Sequence, residues 1–282
     1  MVSADSGLVL GDCISHLLSS DAAIEVVLVD NASTDEEPHK VMANHADDAR
    51  LRFFDNADTI GFGPACNRGA VIANGDVLLF VNPDCVLEPG SIARLRATLG
   101  QSPEIGIVGA DIRNADGSPT MASRRRDPTL RRALATLSGL ARLEARVPAF
   151  AGVAMRGSRP SGPERVDAIS GACFMIRRDV FDQVGGFDER YFLHFEDLDL
   201  CRRVRDAGFK VLLDPSVHVR HWQGSSSHHR AMFVARHKHA GMWRWFNRFD
   251  PAARSPVLRG LVWLGIRAHL AWFRLKRLFA SD

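Results

Sequence analysis

An α/β fold, a mostly parallel sheet flanked by helices with a basic helical extension at the C-terminus, is predicted by three features of this sequence. Short β-branched runs alternate with helix-period segments over residues 8–115. Two of those runs end in polar clusters. A glycine-marked loop, Gly185-Gly186-Phe187-Asp188-Glu189, leads into an acidic helix start, Glu196-Asp197-Leu198-Asp199.

Taken in order, the pattern predicts a helix over 9–19, a strand around Val26, a helix over 36–45 and a strand over 51–54. A helix over 65–73, a strand over 77–81, a helix over 89–99 and a strand over 105–109 follow. Asn114-Ala115-Asp116-Gly117-Ser118-Pro119 is turn chemistry, and the Arg/Pro/Gly-rich stretch 124–165 reads as partly helical and mobile. Order returns with a strand over 166–176, a helix over 178–184, the helix from Glu196 to a C-cap at Gly208, and a strand over 209–213.

The chemistry concentrates at strand ends. The run at Val26-Val27-Leu28-Val29 stops at Asp30-Asn31-Ala32-Ser33-Thr34-Asp35, and the run at Val77 stops at Asn82-Pro83-Asp84. In open α/β sheets ligands bind in the crevice outside such ends. Three carboxylates in the first turn of a helix also suit its dipole, with Arg202, Arg203 and Arg205 as partners further along, so the acidic helix alone is explicable as structure. Together with the two strand ends it points to a site for a polyanion and a metal.

Bulk properties narrow the field. With 282 residues and 46% hydrophobic content the chain builds a substantial core. Its five cysteines lie in apolar segments without metal-ligand spacing, and an odd number argues for free thiols in a reducing compartment. No basic start followed by an apolar run opens the sequence, and no uninterrupted apolar stretch reaches membrane-spanning length. The net charge of +3 hides an asymmetry: from Arg230 onward eleven Lys/Arg face two acids, leaving a body of net −6, and four of the five tryptophans fall in that basic tail. Such a tail suits an anionic surface. Nucleic acid is excluded as partner by the acidic body and the lack of a recognition motif. A nicotinamide oxidoreductase is excluded because no Gly-rich turn follows the first strand.

Val29-Asp30-Asn31-Ala32-Ser33-Thr34-Asp35, Gly61-Phe62-Gly63 with Asn67-Arg68-Gly69, Asn82-Pro83-Asp84, Ser170-Gly171-Ala172-Cys173, and the run from Gly185 to Asp199 resemble, in order and spacing, the motifs of family-two inverting glycosyltransferases with the GT-A (Rossmann-like) fold. With the arginines near Arg124 and with His218/His221, the resemblance is greatest to bacterial rhamnosyltransferases that extend polyprenyl-diphosphate-linked glycans. It implies a catalytic domain over residues 1–227 and a basic, Trp-rich helical extension over 228–282.

The resemblance further implies a nucleotide-sugar site at Asp5, Asp30, Asn31, Asp35, Asn67, Arg68, Asn82 and Asp84, with Asn67 and Arg68 opening a helix toward phosphate. Asp197 is the implied catalytic base, positioned by Glu196 and Asp199. Mg²⁺ or Mn²⁺ is expected on Asp84, with His221 from the loop after the 209–213 strand as a further ligand and His218 as the alternative. Ser170, Gly171, Ala172 and Arg124 are expected at the acceptor. His228, His229, His237 and His239 repeat no ligand spacing and are expected on the surface. The donor implied is dTDP-rhamnose and the acceptor a lipid-linked glycan. The alternative is an impaired homologue that only binds nucleotide sugar or glycan. Relatives begin with an apolar first strand of which only Met1-Val2 is expected to remain before Ser3-Ala4-Asp5-Ser6-Gly7. The segment 256–279 reads as an amphipathic helix on an anionic membrane surface, giving a cytoplasmic protein peripheral on the inner face; oligomerisation stays open.

Overall fold

A computed structural model describes residues 1–20, 22–222 and 231–279. Its framework follows from central strands that are buried on both faces. β1 (Val2–Ser3), β2 (Val26–Asp30) and β3 (Leu51–Asp55) form an all-parallel sheet, with Val2 opposite Val29 and Val26 opposite Leu51. β4 (Val77–Val81), β5 (Cys85–Leu87), β6 (Ile105–Arg113), β7 (Glu164–Arg165), β8 (Cys173–Arg177) and β9 (Lys210–His221) form the second, in the order β4-β8-β6-β9-β5 with β7 on β9. Alternate residues serve opposite faces. Val27, Val29, Leu78, Phe80, Phe174 and Ile176 enter one core, whereas Val26, Leu28, Val81, Cys173 and Met175 enter the other.

Helices close both faces. α1 (Val9–Leu18), α2 (Glu37–Asn44) and α4 (Ser91–Leu99) cover one core with Leu10, Ile14, Val41 and Leu95. α3 (Phe62–Ile72), α6 (Arg178–Gln183) and α7 (Glu196–Asp206) cover the other. There Phe80 stacks on Phe174 at 5.1 Å and meets Phe187 edge-on at 5.2 Å, so the loop ahead of α7 is pinned to the sheet by aromatic packing.

Several expectations are corrected. The second sheet is mixed: β6 and β9 are parallel, but β8 runs against β4 and β6, and β5 against β9. β5, too short to show periodicity, was not foreseen. The expected strand over 166–176 forms a ladder only from Cys173, because residues before it leave the sheet to meet the segment at Arg125. β9 runs on to His221 instead of stopping at 213. Pro215 is tolerated there because the ladder to β6 slips between Ala110 and Asp111, and Asp214 takes up the Ser216 amide and hydroxyl. α3 starts at Phe62 and not at 65. Gly61, at φ 96°, turns the chain into the helix while the Phe62 amide donates to the Phe192 carbonyl at 2.9 Å.

The stretch 124–165 is held by charge. α5 (Leu130–Leu137) and two short 3₁₀ turns, Leu140–Leu143 and Pro148–Phe150, are tied by Arg126 to Glu144, Arg132 to Asp167, and Arg124 to Glu164.

The expected boundary at 227/228 falls outside the described residues, as do His228 and His229. α8 (Ala231–Phe249) packs on the body, with Trp245 2% exposed within the core beside Phe195 and Phe249. His239, expected on the surface, is buried, bonding the Ala235 carbonyl and, at 2.8 Å, His269 of α9 (Pro256–Leu278). His237 is half-buried and stacks on Phe192. Trp245→Ala is expected to lower unfolding free energy by about 3–5 kcal/mol, as deletion of a buried aromatic does. Denaturant unfolding checks this; a loss below about 1 kcal/mol would mean that α8 is dispensable to the core.

Candidate active site

The turn between β4 and β5 carries Asn82, Pro83 and Asp84. β5 lies against β9 with Cys85 opposite His221, which brings the end of β9 to this turn; there His221 Nε2 sits 2.9 Å from Asp84 Oδ1. Both side chains are mostly buried. The His221 Nδ1 and the Asn82 Oδ1 are buried without a hydrogen-bond partner. A hard carboxylate oxygen and an imidazole nitrogen in contact, beside orphaned polar atoms, are chemically fit to hold a divalent cation. His218 is committed elsewhere: its Nε2 contacts Arg113 at 2.9 Å, and its Nδ1 lies 3.9 Å from Glu88.

α7 begins where two successive non-glycine residues, His194 and Phe195, take positive φ of 65° and 74°. Each costs roughly 1–2 kcal/mol and persists only where surrounding structure enforces it. The enforcement is visible. Asn67 Oδ1 accepts from the Phe187 amide at 2.8 Å and its Nδ2 donates to the Phe187 carbonyl at 3.0 Å, fixing the loop from one side. α8 presses from the other: a Cβ on Gly241 would lie 3.0 Å from the His194 carbonyl oxygen and 3.2 Å from Phe195 Cβ.

Three carboxylates leave this turn for different surroundings. Asp197 Oδ2 accepts from Arg125 Nη2 at 2.5 Å and from the Gly171 amide at 3.0 Å, and its Oδ1 accepts from the Leu198 amide. Glu196 is buried with no partner on Oε2; burial, and then the adjacent Asp197 charge, push its pKa up to about 8. Asp199 is fully buried, accepts from Arg203 at 2.5 Å and from Arg248 of α8 at 2.7 Å, and has its pKa raised by burial against the pull of those guanidiniums.

Ser170-Gly171-Ala172 joins the two groups. The Gly171 amide holds Asp197, while the Ala172 carbonyl accepts from the Asn82 amide at 2.8 Å. One turn therefore sets the Asp197 carboxylate relative to the Asp84 turn.

At the end of β2 the polar residues bond one another. Asp30 accepts from the Ser33 amide and hydroxyl, Asp5 from the Thr34 amide and hydroxyl, and Asp35 from the Gly7 and Glu37 amides. Asn31 Oδ1 accepts from Ile60 and from Asn56, whose own Oδ1 accepts from Arg68. Asn67 and Arg68 lie in the second turn of α3, not at its start, so their amides do not point out of a helix N-terminus toward phosphate. Their side chains brace neighbouring loops. Arg124 bonds Glu164 and the Ser158 carbonyl. Its neighbour Arg125 is the residue that reaches Asp197, and also the Ile169 carbonyl. Three successive arginines stand at 124–126, and nothing local in the sequence marks which of them faces the acid.

A family model described as glycosyltransferase like family 2 matches residues 1–243. The N-acetylglucosaminyl-diphospho-decaprenol L-rhamnosyltransferase of Mycobacterium tuberculosis (strain ATCC 25618 / H37Rv) is 31% identical over 268 residues, covering 86% of this chain and 85% of that protein. The low-salt glycan biosynthesis hexosyltransferase Agl10 of Haloferax volcanii is 28% identical over 203 residues, 70% of this chain and 59% of that protein. Among solved structures, the mannosyltransferase PcManGT of Pyrobaculum calidifontis in complex with GDP-Man and Mn²⁺ is similar with TM-score 0.60 and 16% identity, over 100% of this chain and 74% of that one. GalNAc-T7 with UDP, GalNAc and Mn²⁺ gives TM-score 0.59 at 19% identity, over 85% of this chain and 49% of that one. These structural likenesses speak to the fold, which is GT-A.

The buried Glu196 carries a pH signature. Its pKa is raised in the folded state, so between the ordinary carboxylate value of 4.5 and about 8 the folded chain binds a proton that the unfolded chain has lost. Stability therefore falls as pH rises through that window. Glu196→Gln, which cannot ionise, is expected to gain stability over the parent on the order of a few kcal/mol as pH goes from 5 to 8. Thermal melts at both pH values check this, and an unchanged difference would mean that Glu196 is ionised in the fold.

Proposed function

Because the chain belongs to glycosyltransferase like family 2, we propose that it transfers rhamnose from dTDP-rhamnose, with inversion, to a polyprenyl-diphosphate-linked glycan. The reading of the chemistry rests on one observation, the Ser170-Gly171-Ala172 turn that ties Asp197 to the Asn82-Pro83-Asp84 turn. The choice of sugar and acceptor is supported by the mycobacterial relative, whose own name gives a rhamnosyl donor and a diphospho-decaprenol acceptor.

Each residue then has a task that its contacts suit. The Asp30–Asp35 turn and Asp5 take the nucleoside, and the Asp84 turn faces the diphosphate. A divalent cation on Asp84 and His221 would supply counter-charge for the departing diphosphate. Asp197 takes the proton of the acceptor hydroxyl as that oxygen bonds to the anomeric carbon and the bond to the diphosphate breaks. Arg125 and the Gly171 amide grip Asp197 by Oδ2 and fix the direction of its carboxylate. Glu196, kept neutral by burial, adds no second charge beside it. Asp199 acts at one remove by anchoring α7 to α8 through Arg248.

α9 suits a lipid-linked acceptor. It contains no acidic residue, and it carries Arg259, Arg267, Arg274, Lys276 and Arg277. Val262, Ile266, Leu270 and Phe273 form one half-buried stripe, while Leu261, Leu264, Trp272 and Leu275 are more than half exposed. Among the described residues no helix is long and apolar enough to cross a membrane. A helix of this composition lies in the headgroup region, where each Lys/Arg contributes about 1 kcal/mol on an anionic leaflet.

Asp197→Asn is expected to lower transfer by about 10²–10⁴ with donor affinity retained, and a loss within about tenfold would remove Asp197 from the base role. A panel of nucleotide sugars with Mn²⁺ should show turnover with dTDP-rhamnose above UDP- and GDP-linked sugars; preference for another donor overturns the sugar assignment. In vesicle co-sedimentation the chain should bind anionic liposomes and release as salt rises, and deletion after Asp250 should abolish binding. A chain that ignores anionic vesicles at low salt contradicts the membrane reading.

A further inference from the structure

The sequence spacing of Cys85 matches no metal motif. The tertiary structure supplies the missing spacing. In the antiparallel pairing of β5 with β9, Cys85 stands directly opposite His221, and side chains of opposed residues share a face of the sheet. Asp84 precedes Cys85 in the turn. The carboxylate oxygen, the thiol sulfur and the imidazole nitrogen all lie within 4.8 Å of one another. A tetrahedral zinc ion with such ligands holds its donor atoms about 3.5 Å apart, so closure needs only side-chain adjustment.

The three side chains are graded in depth. Cys85 is completely buried, its thiol directed at the Ala172 carbonyl oxygen 3.4 Å away, while Asp84 and His221 are slightly open above it. The sulfur thus lies beneath the carboxylate and the imidazole. The His221 Nδ1 is buried without a hydrogen-bond partner. A hard ion such as Mg²⁺ is served by the oxygen and leaves the thiol untouched, whereas a thiophilic ion is served by all three donors.

We propose that Asp84, Cys85 and His221 form a binding site for a thiophilic divalent ion, Zn²⁺ or Cd²⁺, and that such an ion excludes Mn²⁺ from the same residues. On binding, the metal–sulfur bond forms as the Cys85 thiol proton passes to water. The binding claim stands on the ligand geometry alone. Its consequence, that zinc blocks donor uptake, rests on the reading of Asp84 as the residue facing the donor diphosphate.

The test is titration of the full chain, freed of metal, with Cd²⁺ in the absence of nucleotide sugar, following the ultraviolet sulfur-to-cadmium charge-transfer absorption. The parent and Cys13→Ser, which keeps Cys85, should each show the band saturating at one equivalent. Cys85→Ser should lose it while melting as a folded protein. His221→Gln should keep a band but bind Cd²⁺ at least about tenfold more weakly, which tests the ligand set even if the Cys85 variant fails to fold. Bound Mn²⁺, followed by the paramagnetic resonance of the freed ion, should be released one for one by Cd²⁺. No band in the parent, a band persisting in folded Cys85→Ser, unchanged Cd²⁺ affinity in His221→Gln, or simultaneous binding of Mn²⁺ and Cd²⁺ overturns the proposal. Calorimetry of dTDP-rhamnose with Mn²⁺ separates the two readings: absence of Mn²⁺-dependent donor binding in the parent defeats the donor-site reading and leaves the cadmium result standing.

Discussion

The ion pair between Arg125 and Asp197 joins three parts of the chain that are otherwise far apart in sequence. Arg125 comes from the irregular stretch after β6, Asp197 from the first turn of α7, and the Gly171 amide that completes the contact comes from the turn before β8. Both side chains are mostly buried, so the charges cannot fall back on water if the pair separates. Removing one partner of such a pair costs about 3–5 kcal/mol, chiefly by stranding the other charge. Stability and the placing of the Asp197 carboxylate are therefore one requirement.

Around that contact the structure stores and restrains strain. His194 and Phe195 hold left-handed backbone without being glycine, and they do so directly before Glu196 and Asp197. Asn67, the Phe187 cluster and the close approach of α8 at Gly241 leave them no alternative path. α8 also sends Arg248 to Asp199 and Asp188, each at 2.7 Å, so it reaches the acidic helix by charge as well as by packing. The exposed apolar and basic surface of α9 is carried on the same support, joined to α8 by the His239–His269 contact.

The neighbouring carboxylates show how environment separates identical chemistry. Glu196, Asp197 and Asp199 occupy one helical turn, yet the first is buried without a counter-charge, the second is gripped by one guanidinium and two amides, and the third by two guanidiniums. A helix turns about 100° per residue, so successive side chains face different surroundings.

Local pattern determined much of this protein. The strands over 26–30 and 77–81, the helix from Glu196 and the polar strand ends were legible because periodicity, β-branching and capping act over a few residues. Asp84, His221, Gly171 and Asp197 were named through the resemblance of their motifs and not from local pattern, and the structure sets Asp84 against His221 and Gly171 against Asp197. Tertiary structure alone decided the rest. It bent β9 past Pro215 to deliver His221, began α3 at Phe62 and so made Asn67 a brace, and chose Arg125 over Arg124 as the partner of Asp197. It also set Cys85 across from His221. These outcomes depend on pairing register and on which buried charge finds which partner, and both are settled between segments tens of residues apart, beyond the reach of any local pattern.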